Sequence, residues 1–479
     1  MPASIYGSVS FLPCFILTQP KAMSTISIRS MIDIVFISAP FTKTDMPLSS
    51  IAMLGGMLKT HGLDYRFIDI NAEINSDIEK YQPIIRFCRD SYDVINAKQI
   101  ADHITTTAKR ALSVKSQWIG ISLFCFQGQN YTRLLCQEIK LQDPDAKIIL
   151  GGPGIITDGL NGTQNIAEEL ISLGLADHYI RGEADISLVK FLSKQDYRDE
   201  QILDLDALAY SDYDQYDLNL YKEKRLGIVG SRGCVRKCTF CDIHKHWRSY
   251  VYRSGSSIAQ EMIHNSQRYG VRDYRFADSL VNGSMLAYRD MVNCLTEHNS
   301  MKSDEKLTWQ GQFIFRPKHQ MTSNDWLLTK SSGADTLYVG VESMIDHVRH
   351  HMGKKFSNDD VFHGLDACLD LGINVKFLMI VGYVTESEQD HIDEMRLYER
   401  LSSYSEILKV TLGTTLGILP GTPLHDSHDT LRIKLGEHEN DWINEHGNYK
   451  DRLRRRNERK TVLESLGLND SSGHEQDWL

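Results

Sequence analysis

The sequence predicts an α/β protein in two parts: a doubly wound parallel-sheet domain over residues 31–195, then a partial (β/α)6 barrel over residues 226–425. Three observations predict this. Short apolar runs alternate with helical stretches between Ile32 and Leu192, the pattern of a parallel sheet covered on both faces. Six further strand candidates follow Leu226, each separated by a helical stretch. Three cysteines at C-x3-C-x2-C spacing stand just after the first of these strands, at the end where barrels of this kind keep their chemistry.

In the first part, residues 32–37 form a nearly unbroken apolar run, as expected of a strand buried on both faces. An apolar helix over 49–61 follows, stopped by Gly62. Strands are expected at 65–70, 118–123, 147–150 and 178–181, and helices at 131–141, 167–173 and 184–192. A polar, mostly helical insertion fills the space up to about Ser116. Ligands of such sheets bind at the carboxyl ends of the strands, here residues 38–42, 122–127 and 151–154. The Gly151-Gly152 pair would let a ligand approach the backbone, although Gly-Gly-Pro is also a good turn. Residues 196–225 are acidic and tyrosine-rich and read as a solvated linker.

In the second part, strands are expected at 228–231, 273–277, 307–312, 336–342, 375–382 and 410–416. The tail, 426–479, is charged and helical. Its basic run, Arg452 to Arg456 with Arg459 and Lys460, could meet an anion, but reads better as a solvated helix interleaved with Glu458 and Glu464. Residues 1–30 read as a disordered extension, with Met23 and Met31 as alternative starts.

Composition narrows the class. The 479 residues suffice for two or three domains, and 41% hydrophobic with 24% charged residues is ordinary for a globular protein. A net charge of −10 argues against a nucleic-acid-binding surface over the whole molecule. Nine irregularly spaced cysteines do not form a disulfide framework, which points to a reducing compartment, the cytoplasm. No stretch reaches the roughly eighteen apolar residues that span a membrane.

Cys234, Cys238 and Cys241 carry the chemistry, with Phe240 just before the third. Three thiolates at this spacing can hold three irons of a 4Fe–4S cluster and leave the fourth open. A zinc knuckle is the alternative and would recruit His244 or His246. At this motif the sequence resembles the radical S-adenosylmethionine (SAM) superfamily. The resemblance implies that the open iron chelates the amino and carboxylate groups of SAM. It continues through the strand ends: Phe276-Ala277-Asp278-Ser279, Val339-Gly340-Val341-Glu342-Ser343, Ile380-Val381-Gly382-Tyr383 and the Pro420-Gly421-Thr422-Pro423 turn. By that resemblance Asp278 and Ser279 lie by the methionine moiety, Glu342 and Ser343 bond the ribose, and Gly382 lies near the adenine. Arg316 would pair with the SAM carboxylate. Read from the residues alone, Asp278 could be a helix N-cap and Arg316 a surface charge, whereas the Glu342 carboxylate, ending an apolar strand, is costly without a partner.

The first part resembles the Rossmann-like cobalamin-binding domain that precedes many radical SAM domains. Ser122-Leu123, Gly151-Gly152 and Arg181-Gly182-Glu183 carry that likeness. It implies that Ser122, Gly151 and Gly152 surround the nucleotide tail of cobalamin. The cobalt-ligating His of many such domains is absent from residues 39–44. The resemblance as a whole implies an external one-electron donor of flavodoxin or ferredoxin type and a 5′-deoxyadenosyl radical that attacks an unactivated carbon. It implies methylation first, then cyclisation or rearrangement, and least of all methylthio transfer, since Ala39-Pro40 stands where that family has a cysteine. A non-enzymatic cluster protein is the remaining class.

Overall fold

The computed structural model describes residues 31–40, 45–90, 97–159, 162–199 and 201–470. The expected extension, residues 41–44 of the first strand end and Cys14 lie outside them. Strands β1 (Ile32–Ser38), β2 (Tyr65–Ile68), β3 (Ser116–Ser122), β4 (Ile148–Gly151) and β5 (His178–Tyr179) form one parallel sheet in the order β2-β1-β3-β4-β5. This is a doubly wound order, with its switch point between β1 and β3. Strand β1 shows why its sequence is unbrokenly apolar. Ile34 and Phe36 face one side of the sheet, in a core shared with the helices α1 (Ser49–Thr60) and α2 (Ala184–Leu192). Val35 and Ile37 face a second core on the other side. All four are at most 4% exposed.

Strands β6 (Arg225–Ile228), β7 (Asp273–Phe276), β8 (Thr308–Phe313), β9 (Ala334–Glu342), β10 (Asn374–Val381) and β11 (Leu408–Thr415) form a second sheet, all parallel and in sequential order. This is the expected partial barrel. Its first strand ends three residues early, at Ile228, and the chain re-forms a short pair, Ser231–Arg232 against Val251–Tyr252. The loop between those two segments holds all three cysteines of the motif.

The linker is not solvated. Tyr213, Tyr216 and Tyr221 are buried in the core that joins both sheets. Tyr213 donates to Gly227 O (3.0 Å) and Tyr216 to Leu48 O (2.8 Å), while Tyr65 of β2 donates to Asp212 (2.8 Å). Acidic and aromatic residues mark a connector by composition, but here the rings fill the joint and the hydroxyls find partners at its rim.

The tail also departs from expectation. In helix α4 (Tyr449–Ser465), Arg452, Arg455 and Arg459 are buried. Their i, i+3, i+7 spacing puts them on one face. Arg452 stacks on Trp442, 3.6 Å from the ring centroid, and donates to Asn440 O and Trp442 O. Arg455 donates to Glu386 O and Glu388. Arg459, fully buried, pairs with Glu386 (3.0 Å) and faces Glu394 of helix α3 (Glu388–Leu401) at 4.0 Å. Asn469, just past α4, bridges in parallel to Val410 of β11, so the tail closes over the free edge of the barrel. Replacing Arg459 with Met would remove the guanidinium that Glu394 faces and leave Glu386 with only Arg455, 3.6 Å away, and should cost about 3–5 kcal/mol. A lowered urea midpoint would show this; a solvated helix would give no change.

Candidate functional site

The cysteine loop is fixed at both ends and in its middle. At its start, Gly230 N and the Ser231 hydroxyl donate to Asp278 (2.7 and 2.6 Å), which stands just beyond β7. Gly233 adopts φ +80°, and a side chain there would run into Ser249 O at 2.6 Å. Midway, Thr239 N donates to Met352 O (3.1 Å), and Leu424 N donates to Thr239 O (2.8 Å). The Thr239 hydroxyl lies 2.6 Å from the Tyr383 hydroxyl, and Phe240 packs into a cluster with Met352, Tyr383 and Leu424. Turns beyond β9, β10 and β11 therefore all hold the loop at the carboxyl end of the barrel.

Cys234, Cys238 and Cys241 are free thiols. Cys238 is buried, and burial pushes its thiol up to about 11, opposed by the Lys354 charge. Burial likewise raises Cys241. The ligand to a metal is the thiolate, so iron binding here would have to displace these protons. Among the described residues, no three His, Cys, Asp or Glu side chains converge on a single-ion position. The His244 ring is 2.8 Å from Arg236 O, and His246 faces Asp242 at 3.7 Å. Both rings thus have partners within the chain.

Arg232, the second residue before Cys234, is 8% exposed and donates to Glu183 (2.8 Å) and to both oxygens of Asp185 (3.1 and 3.0 Å). Burial works against its charge, and the Asp185 and Glu183 carboxylates more than offset it. Glu183 and Asp185 follow β5. The carboxyl ends of the two sheets thus meet at this ion triad.

The other expected site residues divide. Asp278 caps no helix, since Ser284 caps the next one. It is 4% exposed, both its oxygens serve the start of the cysteine loop, and burial pushes its carboxyl up to about 7. It therefore anchors the loop. Ser279 is partly exposed beside it. Glu342 ends β9 at a register shift, with φ +66°, a conformation that non-glycine residues adopt rarely and mostly at functional positions. Its Oε1 accepts from Lys354 (2.9 Å). Ser343, expected at the ribose, is engaged within the chain. It is fully buried, and its hydroxyl donates to Glu394 (2.7 Å), the carboxylate that Arg459 faces from the tail. Gly382 is likewise claimed by the chain itself. It has φ +74°, and a side chain would meet Arg452 at 2.3 Å, so its freedom admits the tail helix. Arg316 is no surface charge. It donates to Asn282 O (2.7 Å) and Gly283 O (3.0 Å), and its Nε is buried without a hydrogen-bond partner among the described residues. Burial, then repulsion from Arg236 of the cysteine loop, lowers its proton affinity.

In the first domain Ser122 and Gly151 pair across β3 and β4. A side chain at Gly151 would meet nothing within 4 Å among the described residues, whereas one at Gly152 (φ +95°) would meet Leu123 O at 2.4 Å. Gly152 thus serves loop packing, and Gly151 faces no neighbour among the described residues. Phe124 and Phe126, 49% and 60% exposed, project from the same strand end. Lys354, Glu183, Asp185 and Glu394 were not foreseen. Each acts on the site from more than ten residues away along the chain, and of the four only Glu183 stands in a local motif, which did not report its partner Arg232.

Residues 228–397 match the family model of the Radical SAM superfamily, and this part of the chain is a radical SAM domain. A Methanocaldococcus jannaschii protein named only as a candidate methylthiotransferase is 21% identical over 60% of this chain and 66% of its own length. The cytidylyl-2-hydroxyethylphosphonate methyltransferase of Streptomyces wedmorensis is 24% identical over 37% of this chain and 35% of its own. The chain thus spans less than two thirds of the length of either curated relative. Among solved structures, the radical SAM methyltransferase TsrM of Kitasatospora setae, with cobalamin and a 4Fe–4S cluster bound, superposes with a TM-score of 0.61 at 14% identity. That match covers 82% of this chain and 77% of the other. The two-domain fold is shared with that enzyme.

Two outcomes test the site. Arg232→Met leaves Glu183 and Asp185 facing an apolar side chain. It should lower thermal stability and speed alkylation of Cys238 in iron-free protein, read by mass spectrometry. Asp278 gives a pH dependence. Its carboxyl titrates near 7 when folded and near 3.9 when unfolded, so the unfolded chain holds fewer protons across that interval. Stability should therefore fall as pH rises from about 4 to 7 and level off above. Asp278→Asn should flatten that slope in parallel denaturation curves.

Proposed function

We propose that this protein is a radical SAM enzyme that methylates an unactivated carbon with the help of cobalamin. The observation that carries this reading is the cysteine loop: three thiols held by turns from three strands at the carboxyl end of a partial barrel, and joined to a doubly wound domain by Arg232. Cys234, Cys238 and Cys241 would hold the cluster. When bound, the cluster and SAM supply a 5′-deoxyadenosyl radical that removes hydrogen from carbon, and cobalamin supplies a methyl carrier.

This chain's own residues orient and enclose. The buried Arg316 Nε, with Arg236 nearby, offers a guanidinium edge to the SAM carboxylate. Glu342, at the mouth of β9, offers a carboxylate oxygen to hydroxyls of the nucleoside. Phe240, Tyr383 and Met352 exclude water from one side of the loop. In the first domain, the open face of Gly151 with Ser122 beside it and the exposed Phe124 and Phe126 suit a large, partly apolar cofactor at the strand ends. The reading calls for a one-electron donor of flavodoxin or ferredoxin type and for a reducing compartment, the cytoplasm. No helix among the described residues is long and apolar enough to cross a membrane.

Anaerobically reconstituted protein, given cobalamin and desalted, should keep both cluster and cobalamin absorbance, and should form 5′-deoxyadenosine with dithionite and SAM. Cys241→Ser should lose the cluster absorbance and the product. Product without retained cobalamin would move the reading to cyclisation or rearrangement. An intact cluster that neither binds nor cleaves SAM would sink the enzyme reading.

A further inference from the structure

Lys354 is a largely enclosed cation whose charge acts on the thiols. Its side chain is 13% exposed. The ammonium donates to Gly340 O and to Glu342 Oε1, both at 2.9 Å, and lies over the Phe240 ring, 5.9 Å from its centroid. The turn that carries it is locked to the cysteine loop. Met352 O accepts from Thr239 N. Gly353 (φ +86°) comes so close that a side chain would lie 2.9 Å from Lys237 O and 3.4 Å from the Cys238 Cα. The position of this charge relative to Cys238 is therefore fixed by backbone. Burial opposes the charge, and Glu342 first and Cys238 second sustain it. The same charge acts on Cys241.

Three thiolates around a cluster place several negative charges in a partly desolvated site, and reduction adds one more. A fixed ammonium in low dielectric favours the more negative state. We propose that Lys354 is a positioning residue that eases reduction of the cluster, with Glu342 as its counterweight. This rests on the cluster reading above. The electron comes from the external one-electron donor, the cluster is reduced by one unit, and Lys354 neither gains nor loses a proton.

The two residues predict opposite shifts. In full-length, anaerobically reconstituted protein without SAM, the midpoint potential is read by electron paramagnetic resonance during redox titration. Lys354→Met should make the cluster about tenfold harder to reduce, a midpoint about 59 mV more negative for one electron. Lys354→Arg should restore most of the wild-type value. Glu342→Gln removes the counterweight and should move the midpoint the other way. An unchanged midpoint in Lys354→Met, or in Glu342→Gln should Lys354→Met not assemble a cluster, overturns the proposal. Shifts in the same direction for both also overturn it, since loss of structure alone would not give opposite signs. Failure of the wild-type protein to assemble any cluster overturns the underlying reading instead.

Discussion

Arg232 takes a positive charge into a nearly closed interior, where an unpaired guanidinium would be strongly unfavourable, and the carboxylates that answer it come from the other domain. Because Arg232 lies two residues before Cys234, the ion triad fixes where the cysteine loop begins relative to the first sheet. Every further restraint on the loop acts on a chain whose start is already placed. Asp278 holds Gly230 and Ser231, Met352 holds Thr239, and Gly233 turns the backbone beneath Ser249. The charge pairing also has a geometric result. The carboxyl ends of both sheets, where ligands of either fold bind, open toward one another.

A second set of buried charges supports the site from behind. Arg459 of the tail faces Glu394 of α3, and Glu394 holds the Ser343 hydroxyl and Met344 N. Those two residues directly follow Glu342, whose left-handed backbone would otherwise relax. The C-terminal helix is therefore part of the barrel's far wall. It covers the free edge of β11 and braces the turn that brings Glu342 and Lys354 together. Buried ion pairs are a poor source of net stability, but they specify one arrangement against others, because any shift leaves a charge without its partner. Here the specified element is the turn beyond β9.

The sequence by itself determined the class of chemistry and the order of elements. The spacing of Cys234, Cys238 and Cys241 is a local property of a loop, and the alternation of apolar strands and helices is a local property of a parallel sheet. Both survive translation into structure because they depend on neighbours along the chain. Glu342 was legible for the same reason, as a carboxylate at the end of an apolar strand. What only the tertiary structure decided was which charges meet. Arg232 finds Glu183 and Asp185 nearly fifty residues away, and Arg459 finds Glu386 at more than seventy. A tyrosine-rich, acidic stretch and an arginine-rich helix look solvated by composition, yet pairing and stacking bury both. Motif position placed Ser343, Asp278 and Gly382 at the strand ends but did not report what they face within the chain. Their side chains, or the space beside them, are taken up by Glu394, Ser231 and Arg452. Sequence spacing fixes what a residue can do, and only the folded chain fixes what it faces.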